Sequence, residues 1–440
     1  MVRGLNKTHD PLRRSWVESA NAPDTDFPIQ NLPLGVFKTT GRPRGGVALG
    51  DRIIDLKTLL ATGLLTGAAA EAARAAGGET LLPLLQQPPE VVSALRHCLS
   101  DLFRKDGDMP RPELEGTLVP MAHAELLLPV KPTAFTDFCA SIDHIRRMGA
   151  ATGLPPKLAW MALPVAYNGR ASSVAVSGKP VVRPRGLYES PSRRGDILFG
   201  PEPMLDFELE FGVWLRGGNR LGQAVAMSEA ESCLFGCCLV NDWSARGIQF
   251  FESMLGPHLG KSFMTTASPW IVTMEALAPF RAPARGREAD EPQIPEHLLD
   301  ADDRAQGAIG VELVAELTNA SGASAQIVRT NPRQLFWTLA QMVTHQASGG
   351  APLEAGDLVA TGTVSGSAKD ARACMVEINA GEAAPVRLPD GSTRTFLEDG
   401  DRLTIRGRAV ADGYVPIGFG DCVGIIFPAA PTKGERATRD

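Results

Sequence analysis

Leu205-Asp-Phe-Glu-Leu-Glu-Phe211 alternates apolar and acidic side chains without a break. Period-two alternation puts Leu205, Phe207, Leu209 and Phe211 on one face of a β-strand and Asp206, Glu208 and Glu210 on the other. Carboxylates on one strand face stand about 7 Å apart, and they repel one another unless water or a cation screens them. The apolar face predicts half-burial, which favours a cation. An exposed acidic edge strand has the same pattern, so the segment alone leaves both readings open.

The flanking sequence places this strand in a mainly β, α+β body. After about residue 121, short apolar segments alternate with Gly, Pro and Asp-Gly punctuation. Asp390-Gly391 and Asp399-Gly400 are turn signals, and Leu403-Thr-Ile-Arg-Gly407 alternates as a strand does. Helices are expected at 140–150, 228–240 and 331–346, with 279–306 as a polar excursion. Upstream, Gly35–Lys38 and Gly46–Asp55 read as short strands with Gly turns. Residues 57–104 read as helices broken near Pro83 and Pro88-Pro89, and Glu125–Val130 as a strand leading out. The expected organisation is an N-terminal domain over 1–120, opening with a loosely packed, disordered leader over 1–30. A catalytic domain over 121–430 and a disordered tail over 431–440 follow.

Composition excludes several classes. Hydrophobic residues make up 44% and charged residues 21%, ordinary values for a globular chain. A net charge of −6 and a pI near 5.8 give no electrostatic reason to expect nucleic acid or anionic membrane as a partner. No apolar run approaches a membrane span, and the first residues lack a secretory apolar core. Seven cysteines, without zinc-type CxxC pairs, suit a reducing, cytoplasmic setting.

Four acids then stand out. Asp242 closes the apolar run Cys233–Val240, where a helix cap and a ligand are both open readings. Asp137 follows Pro132-Thr-Ala-Phe-Thr136, again at the end of a short apolar element. His144 comes two helical turns later and suits either a structural hydrogen bond or catalysis. With Glu208 and Glu210 these acids make an all-oxygen set suited to Mg²⁺, Ca²⁺ or Mn²⁺ rather than zinc. Lys261, in Gly256-Pro-His-Leu-Gly-Lys-Ser-Phe263, lacks Walker spacing and is either solvated or part of the site.

In chain order, Asp26–Phe37, Leu163–Ser173, Leu205–Glu210, Asn241–Arg246, Leu259–Phe263 with Ser268–Trp270, Trp337–Gln341 with Thr344-His345, Gly356–Thr363 and Ile417–Gly420 resemble the fumarylacetoacetase family. The resemblance runs from about residue 26 to 428. It implies an SH3-like N-terminal barrel, a mixed β-roll catalytic domain, a homodimer and a small-molecule diketo-acid substrate. It also implies ligation of the catalytic cation by Asp137, Glu208, Glu210 and Asp242. Asp242, Lys261 and Thr265 match positions around a second, structural Mg²⁺. His144 matches a general base and Glu377 the acid that orients it. Arg246, Gln249 and Lys261 match oxyanion holders. Tyr167 and Thr363, with Gln249, match substrate-lining groups.

The departures concern the substrate. Where the family has a Tyr two residues after the first metal acid, this chain has Cys139. An Arg sixteen residues after that acid is Gly153 here, and a second Tyr falls near Phe251–Ser253, where none is present. Gly247, rather than an acid, follows Arg246. Three readings compete: fumarylacetoacetate hydrolysis, hydrolysis of a different acyl diketone, and a non-hydrolytic isomerase, decarboxylase or inactive scaffold. No organic cofactor is expected. The first reading survives the departures if Arg146 or Arg147 reaches the substrate carboxylate in place of the lost Arg.

Overall fold

Leu209–Gly217 and Leu234–Asp242 pair antiparallel at the centre of a 13-stranded sheet. The computed structural model describes residues 4–107, 110–153, 157–190, 192–252, 255–380 and 385–431. Both central strands are buried on both faces, so apolar residues fill successive positions rather than alternate ones. Phe211, Val213, Leu215 and Leu239 pack into the C-terminal core. Trp214, Phe235, Cys238 and Val240 pack against the N-terminal helices.

From this centre the sheet runs one way through Trp270–Thr273, Leu34–Lys38, Arg44–Leu49 and Arg52–Asp55 to Leu118–Pro120. The other way it runs through Glu354–Ala360 and Phe135–Phe138 to Ala166–Gly169. Glu354–Ala360 and Phe135–Phe138 are parallel, so the sheet is mixed. A six-stranded sheet built around Val311–Thr318, Arg402–Ala409 and Cys422–Phe427 packs over it. Val311–Thr318 alternates buried and more exposed residues, as a strand with one solvated face does. The chain is thus mainly β with helices added.

Several expectations are corrected. Among the described residues the N-terminal strands form no closed barrel: Leu34 and Gly35 pair with Ile271 and Trp270 and extend the central sheet, while Val36–Lys38 pair with Glu125–Leu127. The segment 228–240 is not one helix. Met227–Cys233 is helical and Leu234–Asp242 is a strand, a distinction that periodicity cannot make for a continuous apolar run. Asp242 therefore ends a strand and caps no helix. Leu205–Phe211 is interrupted: Leu205–Asp206 pairs with Ser244–Ala245, and the long strand begins only at Leu209. All seven residues of the segment are buried, acids included. The prolines near 83 and 88–89 do separate helices, by sitting in the first turns of Leu82–Leu85 and Pro89–Leu102.

Residues 1–3 of the expected leader lie outside the described residues, and from residue 4 onward the leader is not loose. Thr8, His9 and Ser15 are buried, and Trp16 stacks on Phe103 at 5.4 Å. Buried Arg96 fastens it, donating to Thr8 Oγ1 at 3.0 Å and to the Gln30 and Asn31 carbonyls at 2.5 Å each. Burial drives the Arg96 pKa down to about 10, partly offset by Glu275. Arg96→Leu is expected to cost about 2–4 kcal/mol by stranding three buried oxygens, read as a lower melting temperature with faster proteolysis of residues 4–30. An unchanged melting curve would show that the leader contributes no stability. Residues 432–440 of the expected tail, and Ser253, lie outside the described residues.

Candidate active site

Strand register brings the acids together. Glu210 is opposite Val240, Asp242 is opposite Thr265, and Asp137 is opposite Ala360 on one side and Tyr167 on the other. Directly paired residues point to the same side of a sheet. Asp137, Tyr167, Glu210, Asp242 and Thr265 therefore share one face, with the small residues Gly212 and Ala360 leaving room between the strands. Glu208, just before its strand, completes the group. Carboxylate oxygens of Asp137, Glu208, Glu210 and Asp242 all lie within 4.8 Å of one another, and all four residues are buried.

The cluster is incompletely paired. Lys261 Nζ donates to Glu208 Oε2 at 2.6 Å and Asp242 Oδ2 at 2.7 Å. Arg246 Nη1 lies 2.8 Å from Glu208 Oε1, while its Nε donates to Asp206 Oδ2 at 2.9 Å. Tyr167 Oη and Thr265 Oγ1 donate to the two oxygens of Asp242. Among the described residues, Asp137 Oδ1 and both oxygens of Glu210 have no hydrogen-bond partner. Burial, then the neighbouring carboxylates, raises Asp137 and Glu210 well above the ordinary carboxylate range. Burial acts on Glu208 too, but Lys261 and Arg246 outweigh it and hold that acid low. Orphaned, mutually repelling oxygens suit a hard cation. The free lone pairs belong to Asp137 and Glu210, whereas the side-chain oxygens around Thr265 are already engaged.

Beside the cluster, Ser141 caps the helix Ile142–Thr152 and accepts from the His144 amide, which turns the imidazole toward the sheet. His144 Nδ1 is 2.5 Å from Glu377 Oε1. Glu377 is braced by Ser365 Oγ at 2.6 Å and Arg147 Nη1 at 2.9 Å. Burial works against its charge, but His144 and these donors lower its pKa on balance. His144 Nε2 is left toward the cleft, 3.5 Å from Thr363 Oγ1.

These groups open on one cleft of about 430 Å³, whose wall includes Cys139, His144, Tyr167, Arg246, Gln249, Lys261 and Thr363. Gln249 Oε1 accepts from Arg246 Nη1 at 2.9 Å, and Arg246 Nη2 has no acceptor among the described residues. Burial, then Glu208 and Asp137, keeps the Cys139 thiol protonated. Neither Arg146 nor Arg147 lines the cleft. Arg147 is held by Glu377 and the Gly366 carbonyl, and Arg146 reaches Glu291 at 3.4 Å. The position of the lost Arg, Gly153, caps its helix in a left-handed conformation with φ of 69°, which any other side chain adopts only at a cost.

Some partners escaped the sequence. Asp206, expected with the other acids, instead holds Arg246 and accepts from the Met375 and Val376 amides. Glu202 accepts from the Gly247 and Ile248 amides at 3.0 and 2.9 Å. A Cβ on Gly247 would stand 2.7 Å from Glu202 Oε1. His258 and Glu252 also line the cleft. His258 is signalled only by the Gly-Pro turn before it.

A mixed-sheet α+β body in which an acid cluster and a histidine–glutamate pair face one cleft has the parts needed to activate water for hydrolysis. The chain belongs to the fumarylacetoacetase family. Residues 30–129 match the family model for the fumarylacetoacetase N-terminal domain, and residues 133–424 match that for the fumarylacetoacetate (FAA) hydrolase C-terminal domain. It is 38% identical over 436 residues to a fumarylacetoacetase of Oryza sativa subsp. japonica, covering 96% of this chain and 99% of that protein. It is likewise 38% identical to one of Arabidopsis thaliana over 432 residues, covering 96% and 100%. The Homo sapiens fumarylacetoacetase is 38% identical over 420 residues, covering 93% and 98%.

Proposed function

We propose that the chain hydrolyses fumarylacetoacetate to fumarate and acetoacetate at the cleft beside the four acids. The observation that carries this reading is the buried cluster with orphaned oxygens on Asp137 and Glu210, set next to a histidine whose Nδ1 is fixed by Glu377. Asp137, Glu208, Glu210 and Asp242 hold Mg²⁺ or Ca²⁺, with Mn²⁺ as a substitute. When bound, the cation is a Lewis acid that polarises the carbonyl oxygens of a 1,3-dicarbonyl.

The protein's own groups do the rest. Glu377 keeps the Nδ1 proton on His144, so Nε2 accepts a proton from water as that water attacks the fumaryl carbonyl carbon. Arg246, through its free Nη2, together with Gln249 and Lys261 steadies the resulting oxyanion. Good donors of this kind are worth about 3–4 kcal/mol each. The carbon–carbon bond then breaks, its electron pair passes to the acetoacetate carbon, and His144 returns the proton there. Tyr167, Thr363 and Cys139 line the substrate.

A dimer of identical chains in the cytoplasm completes the proposal. Support comes from the hairpin Arg185–Glu189/Ile197–Pro201, which exposes Leu187, Ile197, Leu198 and Phe199. No helix of the described residues is long and apolar enough to cross a membrane. A second reading, hydrolysis of a bulkier or less acidic acyl diketone, is favoured by Gly153, Cys139 and the engagement of Arg146 by Glu291 and of Arg147 by Glu377. The test is to supply fumarylacetoacetate with Mg²⁺ and quantify products. Equimolar fumarate and acetoacetate are expected; turnover of uncharged acyl analogues in preference to fumarylacetoacetate would instead select the second reading.

A further inference from the structure

The cleft wall carries four basic side chains: His144, Arg246, His258 and Lys261. Three are committed. His144 is bound to Glu377, Arg246 to Asp206, Glu208 and Gln249, and Lys261 to Glu208 and Asp242. Only the His258 ring makes no hydrogen bond among the described residues. Its backbone is in the left-handed region, with φ of 58°, a conformation uncommon outside glycine but several-fold enriched for histidine. Gly256, with φ of 88°, makes the turn possible, and a Cβ there would meet His258 Cδ2 at 2.8 Å.

The loop is held firmly in this shape. The His258 carbonyl accepts from the Lys261 amide at 3.0 Å and the Ser262 amide at 2.8 Å. Glu252 accepts from the Leu259 and Gly260 amides, so both oxygens of the one acid on this loop are engaged. The His258 ring faces the Tyr167 ring at 5.8 Å, and Lys261 Nζ approaches the same tyrosine at 6.0 Å from the ring centroid. Tyr167 is therefore flanked by the cluster's lysine and by an uncommitted imidazole. Strain of this kind persists only where the surroundings over-determine it, and it marks candidate functional positions.

We propose that His258 is the specificity-determining residue of the cleft, donating an imidazole N–H to the carboxylate at the acyl end of the substrate. The inference rests on the diketo-acid reading above. It supplies the carboxylate partner that Gly153 cannot provide and that Arg146 and Arg147, held by Glu291 and Glu377 and not part of the cleft wall, do not. A histidine also selects differently from an arginine. It offers one directed donor rather than a bidentate fork, so a carboxylate is favoured over a neutral group but less steeply.

The test compares wild-type protein with His258→Phe and His258→Asn. Phenylalanine keeps a ring against Tyr167 and removes the N–H. Asparagine suits the left-handed backbone but ends short of the imidazole nitrogens, so a shared defect cannot be laid to backbone strain. Both variants are expected to raise KM for fumarylacetoacetate about tenfold, the loss of one hydrogen bond to a charged group, with kcat within about threefold. The ratio of kcat/KM for the diacid to that for its methyl ester at the fumaryl carboxylate should fall by the same factor. Calorimetric titration with fumarate separates this inference from the reaction assignment. Fumarate binding about tenfold weaker in both variants supports the His258 site even if wild type hydrolyses neither diketone. Equal fumarate binding in all three proteins, or a parallel loss on diacid and ester, would overturn it.

Discussion

His144→Ala lowers turnover of fumarylacetoacetate by about 10²–10⁴-fold and leaves the melting temperature within a few degrees. The size of the effect follows from what the imidazole holds. Its Nδ1 is 2.5 Å from Glu377, and its Nε2 is the nitrogen turned to the cleft. An imidazole held at Nδ1 by a carboxylate presents Nε2 to take a proton from water. Fold should survive, because Glu377 keeps Ser365 and Arg147 when the histidine is gone. Steady-state kinetics at saturating cation are the check. Turnover within a few-fold of wild type would remove His144 from the chemistry and leave water activation to the cation alone.

The second large effect concerns stability. The stability that millimolar Mg²⁺ or Ca²⁺ adds over the chelated protein grows as pH rises from 5 to 8. The sign comes from the acids. Asp137 and Glu210 titrate in the folded protein well above their ordinary 3.8 and 4.5, because burial and one another's charge oppose ionisation. In the cation-free folded state these two acids thus hold protons that the unfolded chain has released, and what they contribute to stability falls as pH climbs through the folded values. Glu208 and Glu377 are shifted downward, so what they contribute is lost only as pH falls below the ordinary carboxylate range. They are silent between pH 5 and 8. A cation competes with the same protons, and at a hundred times its dissociation constant it adds about 2.7 kcal/mol. Melting curves at pH 5, 6.5 and 8, with and without cation, read this directly. A cation effect equal at all three values would argue against the buried acids as its site.

How far the sequence reached depends on the kind of signal. Asp137 and Asp242 were legible because acids at the ends of apolar elements are few, and Glu208 and Glu210 because they share a parity. Parity could not separate Asp206 from its neighbours. That separation comes from the break after Asp206, where the chain leaves Ser244–Ala245 and enters the central sheet at Leu209. Cys233–Val240 looked helical because a strand covered on both faces loses the alternation that would reveal it. The leader looked loose because its anchor, Arg96, lies far along the chain on a helix whose own pattern says nothing of the partner. His258 left no pattern at all. Its significance lies in a backbone angle and in the hydrogen bonds its neighbours have already spent.

The central proposal is that a cation held by the four acids is required for carbon–carbon hydrolysis. Its most direct test is turnover of fumarylacetoacetate by metal-stripped protein, titrated with Mg²⁺, for wild type and Glu210→Ala. Glu210 is the informative choice because both its oxygens lack partners among the described residues, so its removal would take a proposed ligand and break none of the hydrogen bonds described. No turnover is expected in chelator, with saturable recovery in wild type and recovery in the variant only at far higher Mg²⁺ or not at all. Full turnover by the stripped wild-type protein, or the same Mg²⁺ dependence in the variant, would contradict it.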